Sequence, residues 1–407
     1  MGDILFLAHR IPYPPDKGDK IRSWNILRYL AERANVHLGA FVDDPDDLAH
    51  VAALEALCKS VKLVPLDPRA RGLRAFYGLQ SGRALSVAFY DDQAMKSWVW
   101  DRIKTADIDR MFVFSSQMAP YALGHTGEGR RMVMDFVDID SDKFSQYAEE
   151  SRWPKSWLFR REARLLGAFE KQVARHADVS LFVSDSEAAL FRRMAGSYAH
   201  AVDTLHNGVD LDYFSPRANF DPLDAGGAPQ LVFTGAMDYR PNIDAVVWFA
   251  NEVLPLVRQT MPGARFVIVG GKPAPEVVAL AKRAGITVTG RVPDVRPFVA
   301  AASVAVAPIR IARGVQNKVL EAMAMARPVV ATTAAWTGID AEPGRDLLVH
   351  DEPADFAAAV VELCSNSDRA GQLATNARRL AEERYAWPAQ LAKLDQFLAL
   401  GALKDAA

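Results

Sequence analysis

The strongest constraint on this chain is an alternation. Short runs rich in β-branched and aromatic residues are separated by segments of helical length, a pattern satisfied by parallel sheets built from βαβ units. It occurs in two series. The first predicts strands at Ile4–Ala8, Val36–Val42, Val61–Pro65, Met111–Phe114, Met132–Phe136 and Val179–Val183. The second predicts strands at Leu231–Thr234, Arg265–Val269, Thr287–Thr289, Val304–Pro308 and Val329–Ala331. Between the series, Leu205-His-Asn-Gly-Val-Asp210 opens a cluster of turn formers that runs through Pro216, Asn219, Asp221, Pro222, Asp224, Gly226, Gly227 and Pro229, which places a linker at 206–229. The expected fold is α/β, with Rossmann-like doubly wound domains at 1–205 and 230–385. A C-terminal helix at 386–407, redirected near Pro388, is expected to pack back on the first domain. A chain of 407 residues is long enough for two such cores.

With 48 Lys+Arg against 50 Asp+Glu, the formal charge of −2 offers no bulk attraction to nucleic acid or to an anionic membrane. Any such contact needs a local patch, and no nucleic-acid partner is expected. Cys58 and Cys364 stand far apart and outside metal-ligand spacings, which argues against a disulfide framework or a zinc site and fits a reducing cytosol. Met1–Arg10 reads as a strand rather than a secretory signal, and no run approaches the roughly 18 apolar residues of a membrane span. The expectation is a cytoplasmic protein, either soluble or peripheral at the inner face of the membrane. Its first helix shows an apolar stripe at Ile21, Trp24, Leu27, Leu30 and Ala34.

Strands of the second series end in Gly235, Gly270-Gly271, Gly290 and Pro308, where a parallel sheet opens its ligand crevice. The segment Pro308–Val330 reads as strand, polar loop, helix and strand. Gly314 permits close approach, and the amides of Val315, Gln316, Asn317 and Lys318 with the helix dipole form a site for a diphosphate. Lys318 adds a full charge. Glu321, three residues on, suits the hydroxyls of a ribose, the plain alternative being a surface ion pair with Lys318. Arg240, before Pro241 at a helix start, offers a guanidinium to phosphate oxygens.

In the first series, Lys17-Gly18-Asp19-Lys20 opens the first helix. Gly18 lets backbone face a phosphate and Arg22 reaches the same space, unless the loop is a plain turn. Asp138-Ile-Asp140 spells a DxD. Asp138 is the preferred site residue there, binding acceptor hydroxyls or orienting the reaction, with helix capping by Asp140 or Ser141 as the structural alternative. Arg152, Lys155, Arg160, Arg161 and Arg164 are interleaved with Trp153, Trp157 and Phe159. Two readings stand: a surface near lipid headgroups, or a helix with Trp157 and Leu158 in the core and its arginines outside.

Pro308–Val330, Phe233–Phe249 and His206–Asp210 resemble the nucleotide-sugar-dependent glycosyltransferases of family 4, over nearly the whole chain. More narrowly, Pro12–Ser23, Asp135–Lys143 and Asn317–Met323 look like sugar transferases associated with bacterial exosortase and exopolysaccharide systems. The resemblance implies a GT-B fold, two Rossmann-like domains facing a central cleft, with the donor nucleotide held by the second. It also implies retention of anomeric configuration, no metal, no cofactor beyond a nucleotide-diphosphate sugar donor, and a glycan or lipid-linked sugar as acceptor. Lys318, Arg240 and the helix amides would then stabilise the leaving diphosphate, and Arg291-Val292, after Gly290, would meet the base through backbone. The chain departs from the family in four places, the first being Lys17-Gly18-Asp19-Lys20 where many relatives have a double glycine. Arg313 stands where the first of two glutamates eight apart is usual, Ala236 stands where an arginine is usual, and Arg240 is the nearest cation to the usual lysine. The alternatives are another GT-B sugar-nucleotide enzyme, an epimerase or hydrolase, and a catalytically silent nucleotide-binding scaffold.

Overall fold

A computed structural model describes residues 2–15, 17–66, 78–79, 82–127, 129–196, 201–221, 223, 227–311 and 315–400. The chain divides into two compact units, one of Met1–Leu205 with the segment from Leu391 onward, the other of His206–Gln390.

Among the described residues the first unit holds seven parallel strands: β1 (Asp3–Ala8), β2 (Val36–Val42), β3 (Ser60–Pro65), β4 (Ile108–Phe114), β5 (Arg131–Val137), β6 (Val179–Phe182) and β7 (Val202–Thr204). Their order is β3-β2-β1-β4-β5-β6-β7. Ile4 lies opposite Val36 on one side and Arg110 on the other, so strand order reverses between β1 and β4. Both β1 and β2 lie inside the sheet and are continuous buried runs rather than alternating ones. The three-residue β7 has no alternating pattern and was not anticipated.

The first helix, Gly18–Ala31, stops short of Ala34; of the expected stripe Leu27, Leu30 and Ala34 are buried, but the buried face is rotated to take in polar residues as well. Its inward face is Arg22, Ser23, Ile26, Leu27, Tyr29 and Leu30, while Ile21 and Trp24 are half-buried. Arg22 is drawn inward by Asp135, to which it donates from Nε at 2.8 Å and Nη2 at 3.1 Å. That pair turns the helix. The helices Asp140–Glu150 and Lys155–His176 pack on each other through Phe144, Tyr147 and Phe159. In place of one terminal helix there are two short ones, Trp387–Leu391 and Lys393–Phe397. The Leu398 carbonyl accepts Arg110 Nε at 2.7 Å, and the Phe397 carbonyl accepts Arg131 Nε, so the chain end is bonded to β4 and β5.

The second unit holds β8 (Gln230–Thr234), β9 (Arg265–Val269), β10 (Ile286–Val288), β11 (Val304–Ala307), β12 (Val329–Ala331) and β13 (Leu348–Val349), in the order β10-β9-β8-β11-β12-β13, all parallel. Order reverses between the neighbours β8 and β11. The helices Arg240–Trp248 and Asn317–Ala324 follow these two strands, so their starts flank the switch point. The beginning of the stretch expected as a linker is built into this unit: Val209 donates to the Tyr385 carbonyl at 2.7 Å, and a Cβ on Gly208 would come within 2.6 Å of the Trp387 ring.

Candidate functional site

In the second unit, β8 runs into Gly235, whose φ of 153° is one that side chains rarely tolerate. A Cβ there would lie 2.7 Å from Asn242 Nδ2 and 3.4 Å from Lys318 Cε. A Cβ on Gly270 would lie 1.7 Å from the Gly235 carbonyl oxygen. Bare backbone at both positions is what lets two side chains converge over the strand ends.

The converging side chains are Lys318 and Asn242. Lys318, in the first turn of Asn317–Ala324, donates from Nζ to Asn242 Oδ1 and to Gln316 Oε1, each at 3.2 Å, and sits 5.2 Å from the Phe233 ring centre. Asn242 is held in turn by donating Nδ2 to the Ala236 carbonyl at 2.9 Å. Burial lowers the Lys318 pKa to about 8 against the opposing pull of Glu321, and burial raises the Glu321 pKa to about 7 against that of Lys318. Asn317 Oδ1 accepts Asn207 Nδ2 at 3.1 Å, which ties the helix start to the start of the unit. Gln316 occupies the cap position with extended backbone and no side-chain cap; its carbonyl takes the Val319 amide at 2.9 Å, which leaves the Asn317 and Lys318 amides as donors at the helix start. A half-buried ammonium, neutral amide side chains and a helix N-terminus together suit an anion with several oxygens.

The other expected residues are placed less closely. Val315 is buried beside the cap, and Arg313 and Gly314 lie outside the described residues. Arg240 is exposed at the first position of its helix, and it is Asn242, two residues on, that touches Lys318. Arg291 is exposed and Val292 half-buried, with Gly271 fitted against the Arg291 side chain. The plain alternative for Lys318 and Glu321 is not what is seen: the two act on each other at a distance, and the Glu321 carboxylate takes no hydrogen bond among the described residues.

In the first unit the strand ends carry a different chemistry. Asp138, just past β5, accepts Lys143 Nζ on Oδ2 at 2.9 Å, and the same ammonium reaches Asp140 Oδ1 at 3.1 Å. Burial acts to lower the Lys143 pKa, but Asp140 and Asp138 outweigh it and raise it. Arg10 joins Asp19 at 2.8 Å and Asp43 at 3.0 Å, and Lys20 donates to Asp47 at 2.6 Å. Gly18 is exposed at the helix start. Among the described residues, buried atoms without a hydrogen-bond partner gather at these ends: His9 Nδ1 after β1, Asp43 Oδ1 after β2, Ser116 Oγ after β4 and Asp138 Oδ1 after β5. Capping by Asp140 or Ser141 is not observed. Ile139 stands at the cap, and the amides of Ile139 and Ser141 are taken by the buried carboxylates of Glu187 at 2.9 Å and Glu170 at 3.1 Å. Among the described residues no three His, Cys, Asp or Glu are grouped to hold a metal ion.

Sequence reasoning passed over Asn242, Lys143 and the Arg22–Asp135 pair as site-building residues. The first two had local signals, an amide in the first turn of an apolar helix and a lysine three and five residues after two aspartates. The third joins residues 113 apart and had none.

Comparison with known proteins adds a family. Residues 228–366, which hold Gly235, Asn242, Lys318 and Glu321, match the model of Glycosyl transferases group 1. The chain is 28% identical over 250 residues to D-inositol 3-phosphate glycosyltransferase 2 of Catenulispora acidiphila, covering 56% of this chain and 57% of that protein. It is 29% identical over 248 residues to the GDP-mannose-dependent alpha-(1-6)-phosphatidylinositol monomannoside mannosyltransferase of Mycobacterium tuberculosis, covering 56% and 63%. The match thus spans less than two thirds of either relative. Among solved structures, Anabaena Alr3699/HepE in complex with UDP and glucose superposes with a TM-score of 0.68 at 16% identity over 98% of this chain and 100% of that one. Sucrose-phosphate synthase from Thermosynechococcus elongatus does so with 0.69 at 18% over 97% and 98%. Residues 228–366 are therefore similar to the Glycosyl transferases group 1 family, and the chain as a whole has the GT-B fold of two doubly wound parallel sheets.

Proposed function

We propose that the protein is a retaining glycosyltransferase that moves a sugar from a nucleoside-diphosphate donor to a hydroxyl of a glycan or lipid-linked sugar, in the making of an exopolysaccharide. The observation that carries the reading is Lys318, held over Gly235 by the neutral oxygens of Asn242 and Gln316 at the start of a helix. As the glycosidic bond stretches, negative charge grows on the diphosphate. A preorganised ammonium and helix amides in a partly desolvated site lower the energy of that charge without reorganising. Arg240, exposed at the edge of the same switch point, is the second cation for the leaving group, and Glu321 takes donor hydroxyls. Arg291 and Val292 line the path of the base.

On the acceptor side we assign Asp138, whose Oδ1 is buried and unpaired and so suited to accept from a hydroxyl. The reaction is read as metal-independent on a geometric ground: the Lys143 ammonium bridges Asp138 and Asp140, where a divalent cation would have to sit. Relatives named for inositol phosphate and for phosphatidylinositol mannoside fit a polyol acceptor, and a neighbour solved with UDP fits a nucleotide donor.

The test is a thermal-unfolding panel of UDP-, GDP-, ADP- and dTDP-sugars, where a donor at 100 times its dissociation constant adds about 2.7 kcal/mol. NMR of the product from the responding donor then reads the anomeric configuration. If no sugar nucleotide shifts unfolding, the reading is wrong. Release of free sugar in the presence of glycan or lipid acceptors favours a hydrolase, and a shift without any turnover favours a silent scaffold.

A further inference from the structure

We propose that the outer face of the Lys155–His176 helix docks the chain on an anionic lipid surface. This goes beyond the transfer reaction and does not rest on it. The helix carries two carboxylates, and both turn inward. Glu162 accepts the amides of Leu85 and Ser86 at 2.7 and 2.8 Å and the Ser86 hydroxyl at 2.7 Å, and Glu170 accepts the Ser141 amide at 3.1 Å. Leu166 and Val173 complete that buried face. All the acids of the helix are spent on internal amides, so its outward charge is positive.

Trp157, Arg160, Arg161 and Arg164 are spaced three and four apart and therefore share one face. Arg161 donates to the Gly78 carbonyl at 3.0 Å. Arg160 and Arg164, with Lys155 and with Arg152 just before the helix, are exposed and make no ion pair among the described residues. At the N-terminal end of the same face Trp153 is 82% exposed and Trp157 56%, and Tyr147 of the preceding helix is 41% exposed. Of the two readings of this segment, the one that puts Trp157 in the core is therefore corrected. Inward-facing Glu162, Leu166 and Glu170 fix the helix rotation and leave the indole outside.

Two indoles left in water beside uncompensated guanidiniums match the two layers of a bilayer interface. Indole rings settle at headgroup depth, and arginines meet lipid phosphates. A free polyanion would satisfy the arginines and leave the tryptophans unexplained. With a formal charge of −2 the chain as a whole supplies no bulk attraction, so a local face such as this one must carry it.

The test is co-sedimentation of the full chain, without sugar nucleotide, on phosphatidylcholine vesicles with or without about 30 mol% phosphatidylglycerol. The expected result is at least about tenfold stronger partitioning to the anionic vesicles, weakened by salt. R160E/R164E should abolish that preference, and W153S/W157S should weaken binding to both vesicle types. Both pairs are surface changes, and an unchanged unfolding midpoint confirms it; R160Q/R164Q replaces any variant that unfolds early. Equal partitioning to the two vesicle types, or anionic binding unchanged in R160E/R164E, overturns the proposal. So does a single-stranded oligonucleotide that binds as tightly as the anionic vesicles and loses affinity with the same substitutions.

Discussion

The strand ends of the first unit and the Lys318 site of the second handle charge in opposite ways, although the second unit also pairs Arg310 with Asp244 nearby at 2.6 Å. In the first, cations meet their own carboxylates: Arg22 with Asp135, Lys20 with Asp47, Arg10 with Asp19 and Asp43, Lys143 with Asp138 and Asp140. In the second, Lys318 hydrogen-bonds neutral oxygens alone, and Glu321 acts on it only from a distance. A surface that has neutralised itself binds uncharged hydroxyls through leftover acceptors and donors such as Asp138 Oδ1 and Ser116 Oγ. One that holds a desolvated cation without a contact counterion is set to receive an anion.

The largest effect expected from this contrast is structural. R22L leaves Asp135 buried without its partner and should cost about 3–5 kcal/mol of stability in denaturant unfolding. Because Asp135 also accepts the Val137 amide at 3.1 Å, the loss should loosen the approach to Asp138. A cost below about 1 kcal/mol would show that the first unit does not depend on internal neutralisation. Next, K318A should weaken nucleoside-diphosphate binding by about 2–3 kcal/mol in calorimetry, while leaving unliganded stability unchanged or higher, since it removes a desolvated charge. Unaltered affinity would place the anion elsewhere. Third, D138N should slow transfer by about tenfold with nucleotide affinity unchanged. A parallel loss of nucleotide affinity would contradict the division of labour between the units.

The smallest effect is on pH. Lys318 is charged below its pKa of about 8, and a bound diphosphate would raise that value, so nucleotide affinity should be flat near pH 7 and fall as pH passes 8. The fall from pH 7 to 8.5 should be about fourfold. It should vanish in K318A. Glu321, with its pKa raised to about 7, loses its proton over the range below this, and E321Q separates the two titrations.

Much of this was legible in the chain before any coordinates. The long apolar runs of β1, β2, β8 and β9 and the glycines at 235 and 270 announced parallel sheets with open strand ends. Lys318 stood out because a cation in the first turn of a helix after a polar loop has few roles other than phosphate. Short strands such as β7 and β13 were missed, since two or three residues carry no period. The rotation of the first helix was hidden because an arginine normally marks the outer face, and only its partner across the sheet shows otherwise. Trp157 was ambiguous for the same reason: position on a helix is set by what its acids and alkyl groups find inside. The terminal segment was read as one helix because its break near Ala392 carries no glycine or proline.

The return of the chain end to β4 and β5 has a consequence for biosynthesis. The unit that begins at the first residue also needs residues beyond Leu391, so its last contacts form only when the second unit has already been made. At about 5–20 residues per second, the earliest sheet waits tens of seconds on the ribosome for its closing piece. A fragment ended at Leu205 would therefore be an unfinished module rather than an independent half.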